Sequence, residues 1–220
     1  MRNNRQFLVA YIWNFAGKLI IRGLGIVSTL FLVRLLSPED FGIVAIAMVF
    51  IGLFNVLTDS GINRYLILHK DPSEDIYHSA WTLNLLLRLF AFILILISAP
   101  LLSSFMQDDR LVFVAQIAGL TGFIGAFNSI ELVKLERAID FAPFNKMQMM
   151  TKVIAIIVTI SAAFLYRSYY ALLIGSFLSA IILMSLSYLL TGSRPKLAFN
   201  FNKEIFTFSI HLLGRNIFGY

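Results

Sequence analysis

Trp81-Thr82-Leu83-Asn84-Leu85-Leu86-Leu87-Arg88-Leu89-Phe90-Ala91-Phe92-Ile93-Leu94-Ile95-Leu96-Ile97-Ser98-Ala99-Pro100-Leu101-Leu102 is the stretch that decides the fold. It is long enough to cross the ~30 Å hydrocarbon layer as a helix, which takes about 20 mostly apolar residues. Arg88 is its one charge. Working outward, five more stretches meet the same test: roughly Trp13–Leu36, Phe41–Thr58, Val112–Val133, Met147–Phe164 and Tyr170–Leu190. The chain is therefore expected to be an all-α polytopic membrane protein with a bundle of six transmembrane helices.

The whole composition agrees. Of 220 residues, 59% are hydrophobic and only 14% charged, where a soluble domain is near a quarter charged. Mean hydropathy is +0.82. A soluble enzyme, a disordered chain and a secreted disulfide scaffold are excluded. With no cysteine, so are thiolate nucleophiles, cysteine-ligated zinc and iron–sulfur clusters. The basic start Met1-Arg2-Asn3-Asn4-Arg5 leads into an apolar run too long for a signal peptide, with no small-residue cleavage site. The first segment is expected to remain as an anchor.

Charge sets the orientation. With the N-terminus in the cytoplasm, the inside segments carry Arg2, Arg5, Arg64, Lys70, Lys134, Arg137, Lys146, Arg194, Lys196 and Lys203. The outside loops carry only Arg34, Arg110 and Arg167. This bias follows the positive-inside rule. It accounts for most of the +6 formal charge without nucleic acid as a partner.

The loops are short, so consecutive helices should be antiparallel neighbours. No loop is long enough for a separate domain. Ser37-Pro38-Glu39-Asp40 has the makings of a helix start: a serine N-cap, proline at the first position, acids in the first turn. Asp40-Phe41-Gly42 spells the kinase magnesium tripeptide, a coincidence without a nucleotide fold around it. Small residues at four-residue spacing, Ala118, Gly122 and Ala126 in the fourth span and Ala171, Gly175 and Ser179 in the sixth, are expected to let helices approach closely.

Inside the spans, polar residues are few. After Arg22 the uncharged run is Gly23 to Val33, roughly 16 Å of helix, too short to cross alone. The first span thus takes Lys18 and Arg22 into the membrane. They stand four apart and share a face, which Asn14, Gly25 and Thr29 continue. Such a stripe marks a water-filled cavity or a polar ligand; the alternative is that both cations reach back to the headgroups. Arg88 lies seven residues into the third span, with Asn84 one turn before it. Asp59 and Glu131 are its candidate partners, either in an ion pair that ties helices together or in a network touching substrate. Lys152, near the end of the fifth span, is read as reaching the headgroups. His69, His78 and His211 show no metal-ligand spacing, so no metal site or cofactor is expected. Asp108-Asp109 reads as a solvated turn. No phosphate loop, zinc-protease motif or nucleophile–base set is present, and no enzymatic activity is expected.

A seventh apolar segment starts near Phe206 and stops at Tyr220, about 15 residues, too few to span. Its His211-Leu212-Leu213-Gly214-Arg215 echoes Asn14-Phe15-Ala16-Gly17-Lys18. The expectation is a fragment: residues 1–203 a six-helix N-terminal lobe, and 204–220 the truncated start of a second, parallel lobe. Parallel repeats with the site between them are a transporter habit.

Several stretches, in this order and on these loops, carry a family likeness. They are Arg34-Leu35-Leu36-Ser37-Pro38-Glu39-Asp40-Phe41-Gly42, then Asp59-Ser60-Gly61 with Lys70-Asp71, and Ala80-Trp81-Thr82-Leu83-Asn84. Leu135-Glu136-Arg137-Ala138-Ile139-Asp140-Phe141 and Arg194-Pro195-Lys196-Leu197 complete the set. Together the chain resembles the N-terminal half of the oligosaccharide and polysaccharide flippases of the MOP superfamily, the O-antigen, capsule and colanic acid exporters. The resemblance implies two six-helix lobes around a central cavity in the bacterial cytoplasmic (inner) membrane. It also implies alternating access that carries an undecaprenyl-pyrophosphate-linked glycan to the outer leaflet. Membrane lipids and polysaccharide polymerase machinery are the implied partners. Lys18 and Arg22 match positions where the family's first helix presents cations to the cavity, with Asn14 on their face and Arg215 their counterpart in the second lobe. A multidrug or small-metabolite exporter of the same superfamily is the alternative, though the first span has cations and no carboxylate within it. A non-catalytic membrane scaffold would not need Lys18, Arg22 and Arg88.

Overall fold

In the computed structural model, residues 4–58, 61–68, 72–138, 140–192 and 195–199 are described, with side chains from residue 15 onward except at 57. The described residues form eight helices and no strand: α1 Asn4–Leu32, α2 Pro38–Thr58, α3 Ile62–Leu68, α4 Glu74–Met106, α5 Arg110–Gly125, α6 Leu132–Ala138, α7 Phe141–Tyr166 and α8 Tyr170–Thr191. Five of them, α1, α2, α4, α7 and α8, are long and apolar enough to cross a membrane. Within those spans only 17% to 22% of residues are buried in the protein. Much of the rest is leucine, isoleucine, valine and phenylalanine facing outward, as at Leu30, Val49, Leu101, Phe105, Leu165 and Leu189. Water would not tolerate that surface; a bilayer does. This is a multi-pass membrane protein.

The helices pack as a row rather than a ring. α1 leans chiefly on α7, α7 on α8, α8 on α5, and α5 on both α4 and α2. The short α3 and α6 sit together against α4 and α7. Two of the three small residues of α8, Ala171 and Gly175, pack closely, while Ser179 lines an open groove. Ala171 is fully buried, and a Cβ on Gly175 would stand 1.8 Å from Thr159 Oγ1, so only glycine permits this α7–α8 crossing. At the other seam, a Cβ on Gly17 of α1 would come within 2.9 Å of the Asn145 side chain of α7.

The span expected over 112–133 differs. The helix ends at Gly125, and the chain turns through 126–131 before α6 begins. α5 is thus 16 residues, roughly 24 Å, short of a full crossing. α8 makes this break possible by hydrogen-bonding the turn. Tyr188 donates to the Phe127 carbonyl at 2.5 Å, Ser129 N–H donates to Ser187 Oγ at 3.0 Å, and the Ser129 and Thr191 hydroxyls meet at 2.9 Å. Buried backbone groups that leave a helix must find partners, and here they find hydroxyls. The tight contact in α5 also moves. Gly122 has open space around it, while a Cβ on Gly119 would stand 3.0 Å from Ile95 of α4.

Each end of the bundle is tied by polar residues. At one end, Ser37 and Asp40 cap α2 reciprocally: Asp40 N–H donates to Ser37 Oγ at 3.2 Å, and Ser37 N–H to Asp40 Oδ2 at 2.9 Å. The free oxygen, Asp40 Oδ1, accepts the Tyr169 N–H at 2.8 Å, joining α2 to α8. Arg110 at the start of α5 pairs with Asp108 at 2.9 Å and with Glu39. Asp108 is therefore more than a solvated turn. Its hydrogen bond from Arg110 holds its carboxyl below the usual value, against a smaller opposing effect of burial. At the other end Lys134 of α6 pairs with Glu74 of α4 at 2.7 Å and Glu131 at 3.2 Å.

Candidate functional site

Two polar regions interrupt the apolar bundle. The first is an open groove of about 830 Å³ between α1, α7 and α8. Arg22, Gly25, Ser28 and Thr29 line it from α1, Lys152 and Thr159 from α7, Ser176 and Ser179 from α8. Its geometry follows from helix spacing. Arg22, Gly25 and Thr29 recur at three and four residues, so they share one face of α1. Lys18 stands one turn before Arg22 on that face and is exposed. Gly25 gives the groove its depth. A Cβ there would lie 3.8 Å from Lys152 Nζ, so the lysine of α7 lies across the bare backbone of α1. Lys152, read from sequence as a headgroup contact, is thus brought beside Arg22. Only the packing of α7 on α1 reveals this.

No carboxylate among the described residues lies within ion-pair distance of Arg22 or Lys152. Hydroxyls supply the rest of the lining, and the Thr29 hydroxyl donates back to Gly25 O at 3.0 Å. Two cations, a third one turn away and a set of hydroxyls are chemically suited to an anion with several oxygens.

The second region is a smaller chamber, about 380 Å³, lined by residues of α2 to α8. Its polar lining is amide-rich: Asn55, Asn63, Asn84, Asn128 and Gln148, with Arg88 and Glu136. The Arg88 guanidinium donates to Asn55 Oδ1 on α2. Among the described residues its hydrogen-bond partner is an amide rather than an acid, and Glu131 takes Lys134 at 3.2 Å. Asn84 lines the same chamber one turn from Arg88. The sequence already places Asn55 one turn before Asp59 on the same helix face.

Of the other expected site residues, Asp59 and Arg215 lie outside the described residues, as do residues 204–220. Asn14 lies within the backbone of α1, its side chain outside the described set. Among the described residues no cluster of His, Asp and Glu could hold a metal ion.

Residues 31–220 match the model of a family described as polysaccharide biosynthesis protein. The succinoglycan biosynthesis transport protein ExoT of Rhizobium meliloti is 22% identical over 207 residues, which is 93% of this chain and 42% of that protein. An uncharacterized membrane protein in the cps region of Klebsiella pneumoniae is 26% identical over 136 residues, 62% of this chain and 28% of its own. The lipopolysaccharide biosynthesis protein WzxC of Escherichia coli is 26% identical over 99 residues, 45% of this chain and 20% of its own. The chain spans less than half the length of these relatives. No solved structure matches.

Proposed function

The chain belongs to the polysaccharide biosynthesis protein family, and from that premise we propose that it is the N-terminal lobe of a flippase for lipid-linked glycans. In this reading residues 1–203 form the first lobe and 204–220 open the second. The whole transporter moves an undecaprenyl-pyrophosphate-linked oligosaccharide across the cytoplasmic membrane by alternating access, with the N-terminus inside. Its role is transport, not catalysis. The ten-to-three distribution of basic residues between the two sets of loops supports that orientation.

The groove between α1, α7 and α8 carries the reading. A pyrophosphate brought into low dielectric costs many kcal/mol unless cations meet it. Arg22 and Lys152 line the groove, Lys18 stands one turn away, and Arg22 offers a forked donor set suited to phosphate oxygens. The hydroxyls of Ser28, Thr29, Ser176 and Ser179 suit the first sugar or the remaining phosphate oxygens. The second lobe would close the groove from the open side, and Arg215 would enter from there.

The test is a deletion of the whole gene, followed by extraction of lipids and assay of surface polysaccharide. A flippase predicts lipid-linked oligosaccharide retained on the cytoplasmic side and surface glycan lost, both restored by the full-length gene. Intact surface glycan with no retained intermediate would refute it. That result, joined to altered resistance to a drug or metabolite, would favour a small-molecule exporter.

A further inference from the structure

The amide chamber follows directly on the cationic groove. On α7, Gln148 of the chamber stands one turn before Lys152 of the groove. On α8, Leu183 of the chamber stands one turn beyond Ser179 of the groove. Residues four apart share a helix face, so both spaces lie on the same faces of α7 and α8. The step between them along either helix is about 6 Å.

The two spaces differ in charge. Arg88 and Glu136, one of each sign, are the only charged side chains among the described residues of the chamber lining. Arg88 also donates to Asn55. The lining is neutral as a whole and offers an anion no net attraction.

It offers unused hydrogen-bonding capacity instead. The side-chain amides of Asn84 and Gln148 have no hydrogen-bond partner among the described residues. Trp81 Nε1 and Asn128 Oδ1 are buried and also unpartnered, and Trp81 as a whole is only 8% exposed. An amide side chain brings two donors and an acceptor, and leaving such groups unpaired away from water is expensive. The chamber therefore suits a polar, uncharged occupant. Trp81 and Phe144 add aromatic surface to the same lining, which packs against the apolar face of a sugar ring and gains nothing from water. At about 380 Å³ the chamber lies at the lower end of small-ligand sites, about 300–1,000 Å³. That size suits one sugar ring rather than a whole oligosaccharide.

We propose that the chamber is a sugar subsite, which receives the phosphate-linked first sugar of the lipid-linked glycan while the groove holds the pyrophosphate. The inference rests on the flippase reading above. That sugar is bonded directly to a phosphate, and the one-turn step from Lys152 to Gln148 matches the connection. A hydroxyl both donates and accepts, as an amide does, so Asn84, Asn128 and Gln148 answer the ring hydroxyls in either sense. Trp81 Nε1 and Asn128 Oδ1 gain the partners they lack. The groove hydroxyls then serve the phosphate oxygens. Binding is non-covalent and no bond of the substrate changes. The first lobe thus reads the sugar as well as the charge.

The test uses the whole protein in lipid nanodiscs and four probes: bare polyprenyl pyrophosphate, and the same lipid carrying a single glucose, galactose or N-acetylglucosamine. The quantity read is the ratio of each sugar-bearing affinity to the bare one. Each neutral hydrogen bond contributes roughly twofold to tenfold, so at least one sugar should raise affinity about tenfold or more. Asn84→Leu and Gln148→Leu should each lower that ratio by roughly twofold to tenfold. Ratios of one for all three sugars would mean that the chamber holds water only, and would overturn the subsite while leaving the flippase reading intact. A wild-type ratio kept in both variants would overturn it as well. A wild type that binds none of the four probes would refute the flippase reading, and the subsite with it. A second measurement needs no variant. In hydroxyl-radical footprinting of the wild type, the best sugar-bearing probe should protect Trp81 and Phe144 more than the bare probe does; equal protection would overturn the proposal.

Discussion

The bundle's cations divide by location. At the two ends, Arg110 has Asp108 and Glu39, and Lys134 has Glu74 and Glu131. In the groove along α1 and α7, Arg22 and Lys152 share a lining of hydroxyls, with no acid among the described residues at ion-pair distance. The ends are closed electrostatically; the groove is not. A charge that has its partner within the fold serves the fold. One held beside another cation at an open surface is available to an anion from outside. The two sets should therefore respond oppositely to substitution: the groove cations in binding and transport, the end cations in stability.

The largest effects should come from the groove. Losing a hydrogen bond to a charged group costs about 1.5–3 kcal/mol, roughly tenfold to a hundredfold in affinity. Arg22→Ala and Lys152→Ala should each weaken polyprenyl pyrophosphate binding by that factor, measured on the whole protein in nanodiscs, without lowering its melting temperature. Equal binding by both variants would erase the distinction between groove and ends.

Next comes the helix seam beneath the groove. Gly175→Ala forces a Cβ onto Thr159, and overpacking of this kind costs about 1–3 kcal/mol. Thermal unfolding in detergent should show a lowered midpoint. Gly122→Ala, with open space around it, should stay within about 0.5 kcal/mol of wild type.

The end pairs should give less. Lys134→Met should cost under about 1 kcal/mol, because its shorter pair is with the well-solvated Glu74, and should leave probe binding unchanged. Smallest is the acid response of Asp108. Its folded pKa lies below the unfolded one, so its contribution is complete above about pH 3.9 and fades as pH falls through the folded value. Arg110→Ala should flatten the lowest-pH part of a stability profile, read by unfolding at a series of pH values.

Much of this was legible in the chain itself. The Ser37–Asp40 cap is local chemistry, and the structure forms it. The Gly175 contact follows from four-residue spacing. What depends on neighbours was not. α5 stops at Gly125 because α8 offers Ser187, Tyr188 and Thr191 to the turn, and no local pattern at 126–131 announces that. Lys152 reads as a headgroup contact until α7 is laid across Gly25. Arg88 has Asp59 and Glu131 as candidates in the sequence; among the described residues the fold gives it Asn55 and gives Glu131 to Lys134, since only packing decides which of several polar neighbours comes within reach.

The central claim is that the groove cations exist for an anionic substrate. The most direct measurement complements the deletion strain with the full-length protein carrying Lys18→Ala, Arg22→Ala and Lys152→Ala together, and assays membrane insertion, retained lipid-linked oligosaccharide and surface polysaccharide. The account predicts a protein inserted at wild-type level, intermediate accumulating inside and no surface glycan. Normal surface polysaccharide from that triple variant would contradict it.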